Sequence, residues 1–339
     1  MTPAGPAQPP RLITRWDLDK TYLRSDFHQL GDLWRSLTER PDQKRAVPGA
    51  ATLLRLLGAD TVRVHVLSGS PRQMKGAILK RFAMDGVRVD RLTLKPNASN
   101  LFRLRVRALK DQLGYKLSSL LEARSSEQGE FGDGVPEVLL GDDSEADAFV
   151  YSLYADLCAG AVDLHLLEQV LSVGHTYRDV AARTLALANH VTSHASGAPV
   201  RILVHLERQS RPSRFSMFGP RVVPFHNYVQ ASLLFLEWSY LNASDVFALC
   251  QEMLELYRFD LDAMVRSFVD LEHRGHLSTQ ALDRLEAGAP SATAELHALP
   301  SRIRAARASA RPLAPPNPAA QDLDYLALAR EYRSGHGRR

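Results

Sequence analysis

Leu12-Ile13-Thr14-Arg15-Trp16-Asp17-Leu18-Asp19-Lys20-Thr21 carries its apolar residues at Leu12, Ile13, Trp16 and Leu18 and leads into two carboxylates, Asp17 and Asp19. The spacing predicts a strand over 12–18 that ends at the acidic pair. In extended backbone, residues two apart lie on the same side. Asp17 and Asp19 therefore share a face, with Thr21 just beyond them. A carboxylate at a strand end can attack phosphorus. A second one beside it can protonate the leaving oxygen and later activate water. By itself, Asp-x-Asp-x-Thr is also an ordinary polar turn after a strand, so its weight depends on the rest of the chain.

Outward from this stretch, short apolar runs alternate with helical patterns. Strands are expected over 61–67, 87–94, 137–140 and 200–206, and helices over 27–37, 48–57, 71–82 and 113–121. Such alternation implies an α/β fold: a three-layer, Rossmann-like parallel sheet with crossover helices. Ligands of these sheets gather at the carboxyl ends of the strands. Asp17, Ser68 and Asp142 each stand at or just past the end of an expected strand, so all three are expected in one crevice. The second half of the chain is mostly helical, above all over 156–191 and 245–271. The run 228–238 fits either a strand or a helix.

Three further pieces supply what phosphoryl transfer needs. In Leu67-Ser68-Gly69-Ser70-Pro71, Ser68 and Gly69 can meet a phosphate oxygen at the start of a helix; Ser70 is expected as that helix's cap, with Pro71 at its first position. A lysine, Lys110 or Lys116, can hold the phosphate and offset the Asp17 charge. In Gly141-Asp142-Asp143-Ser144-Glu145-Ala146-Asp147, Asp142 or Asp143 can ligate Mg²⁺, a hard cation that keeps waters and needs one or two protein carboxylates. Ser144 and Asp147 also have the spacing of a capping box. Carboxylates this crowded repel one another unless a cation joins them.

Composition narrows the setting. Lys and Arg number 42 against 38 Asp and Glu, a net charge of +4 with no basic block, so nucleic-acid binding has no specific support. No apolar run approaches the ~20 residues of a membrane span. The first ten residues lack the layout of a signal peptide. The expectation is a cytoplasmic protein whose two cysteines, Cys158 and Cys250, are buried thiols rather than a disulfide or a metal pair. His190 and His194 lack the glutamate of a hydrolytic zinc helix, with Val191 beside the first, and His273 and His276 flank a turn at Gly275; both pairs are set aside as metal sites. The stretch 208–218 mixes Arg, Ser and Phe and reads as a basic loop, with contact to an anionic membrane or substrate as the lesser alternative.

Taken in order, the four motifs resemble those of the haloacid-dehalogenase superfamily of aspartate-nucleophile phosphatases. The resemblance is nearest to the catalytic domain of the actin-patch-associated phosphatidate phosphatases. It rests on Trp16-Asp17-Leu18-Asp19-Lys20-Thr21, Leu67-Ser68-Gly69-Ser70-Pro71, Tyr115-Lys116 with Leu120-Leu121, and Leu140-Gly141-Asp142-Asp143-Ser144-Glu145-Ala146-Asp147 with Tyr151, and covers about 12–154. It implies Asp17 as nucleophile and metal ligand, and Asp19 as acid/base and metal ligand through its carbonyl. It implies Ser68 and Lys116 on the phosphate and Asp142 on Mg²⁺, with Thr21, Asp143 and Asp147 in support. The short span between the first two motifs implies that a large cap domain is lacking and the site is open.

The expected organisation is then a disordered segment at 1–10 and a phosphatase-like core at 11–206 with a helical insertion near 156–191. A helical addition follows at 207–287, and a Pro/Ala-rich linker with a basic tail at 288–339. The expected activity is Mg²⁺-dependent hydrolysis of a phosphomonoester, with a phosphatidate-type lipid phosphate as one substrate class. The alternatives are a phosphatase or phosphotransferase acting on a protein or nucleic-acid end, and a non-catalytic scaffold on a retained core.

Overall fold

The computed structural model of the chain describes residues 9–23, 46–58, 61–95, 109, 112–144, 146–309 and 323–334. The first part of the chain runs β1 (Leu12–Asp17), α1 (Ala50–Leu57), β2 (Val62–Pro71), α2 (Lys75–Met84), β3 (Arg91–Lys95), α3 (Ser118–Phe131) and β4 (Glu137–Asp142). Next come α4 (Asp147–Cys158), α5 (Leu164–Val173), α6 (Arg178–Ser193), β5 (Val200–His205), β6 (Val222–Phe225) and α7 (Tyr228–Glu237). The last helices are α8 (Ala243–Tyr257), α9 (Leu261–His273), α10 (Thr279–Gly288), α11 (Leu299–Ser309) and α12 (Tyr325–Ser334).

The strands form one sheet in the order β3-β2-β1-β4-β5-β6, and every pairing is parallel. Parallel neighbours need crossovers, and the helices cover both faces. One face packs Leu12, Trp16, Val64, Val66 and Leu140 against α1, α2 and α7–α11. The other packs Leu139, Ile202 and Val204 against α3–α6 and α12. The sheet winds outward in both directions from β1, so a crevice opens between the carboxyl ends of β1 and β4. The register puts Asp17 opposite Leu67, and Asp142 opposite His205, at that same edge.

Several expectations change. β2 continues through Ser70 and Pro71, and α2 starts after a single 3-10 turn at Arg72–Met74. Ser70 therefore does not cap the helix; its N–H donates to Ser68 Oγ at 3.1 Å. β3 starts at Arg91 rather than 87, because Asp90 bridges to Val64 through its N–H and carboxylate, both at 2.8 Å. β6 was not expected within 207–287: a four-residue run with a proline is a weak strand signal, and Pro224 is tolerated only because β6 is an edge. The run 228–238 is helix α7, capped by the Asn227 side chain. The linker expected from 288 contains α11, whose Leu299 and Ile303 are buried; Pro300 in its first turn begins the helix rather than breaking it.

The expected helix over 27–37, residues 1–8, Lys110, Glu145, 310–322 and the tail at 335–339 lie outside the described residues. No helix among the described residues is long and apolar enough to cross a membrane. Cys158 and Cys250 are buried and unbridged on opposite faces of the sheet, and burial pushes both thiols up to about 12.

Below the crevice the sheet carries a buried ionic cluster. Arg15 binds Glu127 and Glu137, Arg124 binds Glu137 at 2.6 Å, and Tyr154 donates to Glu137. His65 Nδ1 lies 2.9 Å from Glu127. Burial alone would raise the Glu127 carboxyl, but the Arg15 charge and hydrogen bonds from His65 and Arg15 hold it well below the usual carboxylate range. A depressed folded pKa gives stability that is full above the unfolded value near 4.5 and is lost as pH falls toward the depressed one. Glu127→Gln is expected to cost about 3 kcal/mol at pH 7, since it strands part of a buried charge set. Urea unfolding should show the gap to wild type shrinking below pH 4.5; a gap that ignores pH would contradict this account.

Candidate active site

Asp17 is the last residue of β1 and Asp142 the last of β4; both are buried, at 2% and 1% exposure. Asp147, the first residue of α4, is fully buried beside them. Each contributes a carboxylate oxygen to a group whose atoms lie within 4.8 Å of one another. Three like charges this close are held by a cation. Lys116 Nζ binds Asp147 Oδ1 directly and lies 3.3 Å from Asp17 Oδ1. Lys116 sits on a wide π turn, Gln112–Leu117, that leads into α3; such turns displace one residue from the helical repeat and re-aim its side chain.

The Asp142–Asp147 segment is organised by its own backbone. Asp142 N–H donates to Asp147 Oδ2 at 3.1 Å, and Ser144 N–H donates to Asp142 Oδ1. The expected capping box is not formed. Ala146 occupies the cap position of α4, and the Asp147 side chain turns into the crevice instead. Gly141 makes room for it, because a Cβ there would meet Asp147 Oδ2 at 2.2 Å.

Asp143 faces elsewhere. Its Oδ1 accepts from Arg208 N–H at 2.8 Å and its Oδ2 from Ser210 N–H at 3.1 Å, so it holds the loop after β5. Of the two adjacent aspartates, Asp142 is the one that joins the acidic group.

Ser68, fully buried in β2 where its register with β3 shifts, accepts from Ser70 N–H through Oγ, which leaves its hydroxyl proton to be donated. Gly69 is half-buried beside it. Tyr115, the residue before Lys116, donates to Ser68 O at 2.6 Å and contacts Thr93 O at 3.2 Å. It ties β2, β3 and the π turn together. Burial and the charges of Asp17 and Asp19 raise its phenol, with Lys116 opposing.

Asp19 is half-buried in a tight turn in which Leu23 N–H donates to Leu18 O, and Lys20 adopts a left-handed φ of 61°. A lysine rarely takes this conformation without support. The support comes from the second half of the chain. His205 Nδ1 lies 3.1 Å from Lys20 O, and Tyr228 O–H donates to Thr21 O at 2.5 Å while its ring stacks on Trp16. The buried Thr21 thus anchors the turn through its carbonyl.

The structure brings Asp17, Asp142 and Asp147 together with Lys116; Ser68 is tied to Tyr115, the residue before Lys116, Asp19 and Gly69 are half-buried, and Asp143 turns to the loop after β5. Sequence reasoning missed the structural roles of Gly141, His205 and Tyr228. A signal existed for His205, a polar residue closing an apolar strand at the level of Asp142, but none for Tyr228. A cavity of about 470 Å³ lined by Glu168, Gln169, Ser172, Val173, Leu326 and Arg330 lies between α5 and α12 and includes none of these residues. Comparison with protein-family models, with curated proteins and with solved structures finds no match to this chain.

Gly141→Ala should force Asp147 out of the crevice, breaking its bonds to Lys116 and the Asp142 N–H. The expected cost is about 1–3 kcal/mol, the range for a buried polar group that loses its partner. Urea unfolding measures it. A variant as stable as wild type would show that Asp147 is not fixed as described.

Proposed function

We propose that this chain is a Mg²⁺-dependent phosphomonoesterase that forms an aspartyl-phosphate on Asp17, on a haloacid-dehalogenase-like core. The observation that carries the reading is the meeting of Asp17, Asp142 and Asp147 at the sheet's switch point, with Lys116 against Asp17 and Asp147. An all-oxygen, buried, anionic donor set suits Mg²⁺ better than a soft metal. Asp17 and Asp142 would hold the ion, with the Asp19 carbonyl as a further ligand, and Asp147 would hold the Lys116 ammonium. When bound, the ion would neutralise charge on the phosphoryl oxygens.

The residues divide the work as follows. An Asp17 oxygen attacks phosphorus, forming a P–O bond as the bond to the leaving oxygen breaks. Asp19, protonated at the start, gives its proton to the departing alkoxide. It then takes a proton from water, whose oxygen attacks the phosphorus, and the Asp17–phosphorus bond breaks to release phosphate. The Ser68 hydroxyl proton, the Gly69 backbone and Lys116 orient the phosphoryl oxygens. The turn that carries Asp19 is fixed by His205 and Tyr228, so the acid/base group needs no large rearrangement to act.

Turnover of an aryl phosphate tests the proposal. Activity should require Mg²⁺, fall at least about 10³-fold in Asp17→Asn, and fall about 10²–10⁴-fold with alkyl esters in Asp19→Asn. No turnover by wild type, or full turnover by Asp17→Asn, would sink it. Independently, Mg²⁺ at 100 times its Kd should stabilise wild type by about 2.7 kcal/mol in thermal unfolding, and Asp142→Asn should remove that gain.

A further inference from the structure

The loop after β5 is built to a fixed position that the proposed hydrolysis does not use. Residues 208–218 read as a solvated basic loop in sequence, yet the backbone is held firmly. Asp143 takes the N–H groups of Arg208 and Ser210 in its two carboxylate oxygens. Gln209 between them has a left-handed φ of 55°, a conformation that costs free energy and persists only where surroundings impose it. Asp143 imposes it by gathering two nearby amides, as a backbone nest gathers an anion. Asp143 N–H in turn donates to His205 O at 3.0 Å. Beyond, Pro212–Phe218 forms a 3-10 turn whose Phe215 and Phe218 are buried.

This clasp joins the loop to the residue next to Asp142, about 3.8 Å away by Cα. Arg208 and Arg211 are exposed on the loop, and neither forms an ion pair with a described residue. All three cations of 207–218 are arginines, whose planar forks match a phosphate's oxygens where a lysine offers a point charge. A field that merely steers anions acts over about 10 Å and does not depend on ångström placement. A loop locked to the residue beside a metal-type carboxylate is what a fixed contact requires.

We infer that Arg208 and Arg211 form a second anion subsite, so that the substrate carries a second phosphoryl group besides the one hydrolysed. This inference rests on the phosphomonoesterase reading of the Asp17 site.

Alkane diphosphonates with spacers of two to six carbons, against alkyl monophosphonates, test it by calorimetry on the full chain in MgCl₂, where neither probe is hydrolysed. At one spacer length the diphosphonate should bind at least ten times more tightly than the monophosphonate. Arg208→Gln with Arg211→Gln should erase that preference while leaving monophosphonate affinity and aryl phosphate turnover unchanged. Asp143→Asn, which keeps both arginines but releases the loop, should also erase it. Equal binding of the two probes by wild type, an equal weakening of both in the arginine variant, or an intact preference in Asp143→Asn would each overturn the subsite. Aryl phosphate turnover without a diphosphonate preference removes the subsite alone; no turnover and no binding of either probe removes both readings.

Discussion

Buried carboxylates repel, and the centre of this molecule depends on how that repulsion is contained. Asp17, Asp142 and Asp147 converge where the sheet reverses its winding, and Lys116 is the cation that touches two of them. Unit charges 4 Å apart interact by about 4 kcal/mol at an effective dielectric near 20, so such an arrangement is unstable unless countercharge is built in. Lys116 supplies one charge. The proposed Mg²⁺ would supply two more, and a substrate phosphate would then meet a site close to neutral. The π turn, the missing side chain at Gly141 and the Asp142 N–H bond all serve to bring Lys116 and Asp147 into this contact.

The same logic recurs lower in the sheet. Arg15, two residues before Asp17 on the same face, is surrounded by Glu127 and Glu137, with Arg124 balancing the second glutamate. One face of β1 thus carries first a buried cation between two glutamates and then a buried anion beside two aspartates and a lysine. A central strand can carry such residues only because helices α3 and α4 bring complementary partners over it. The lower cluster fastens α3 to β1 and β4, and α3 is continuous with the turn that delivers Lys116.

Much of the core was legible from the chain alone. The alternation of short apolar runs with helical spacing indicated a parallel sheet, because only crossovers satisfy that pattern. Polar residues closing apolar runs pointed to Asp17, Ser68 and Asp142 at one edge. The fourth motif was harder to read. Asp142 and Asp143 are adjacent and chemically identical, and Ser144 with Asp147 satisfied the spacing of a helix cap. Local spacing could not say that Asp147 would turn inward, because that depends on the Asp142 N–H and on Lys116, 31 residues earlier in the chain. β6 escaped because a four-residue strand with a proline has almost no local signal, and its pairing with β5 alone makes it a strand.

The sequence by itself determined the class of fold, the strand ends that carry carboxylates and the residue types that suit phosphoryl chemistry. Each of these follows from periodicity and side-chain chemistry within a few neighbouring residues. Tertiary structure decided which of two aspartates joins the acidic group and which clasps the arginine loop. It also decided that a turn with a left-handed lysine is held by His205 and Tyr228, which come from 185 and 207 residues further along the chain. Such choices rest on contacts between segments far apart in sequence, whose energies exist only once the sheet has closed and water has been excluded around them.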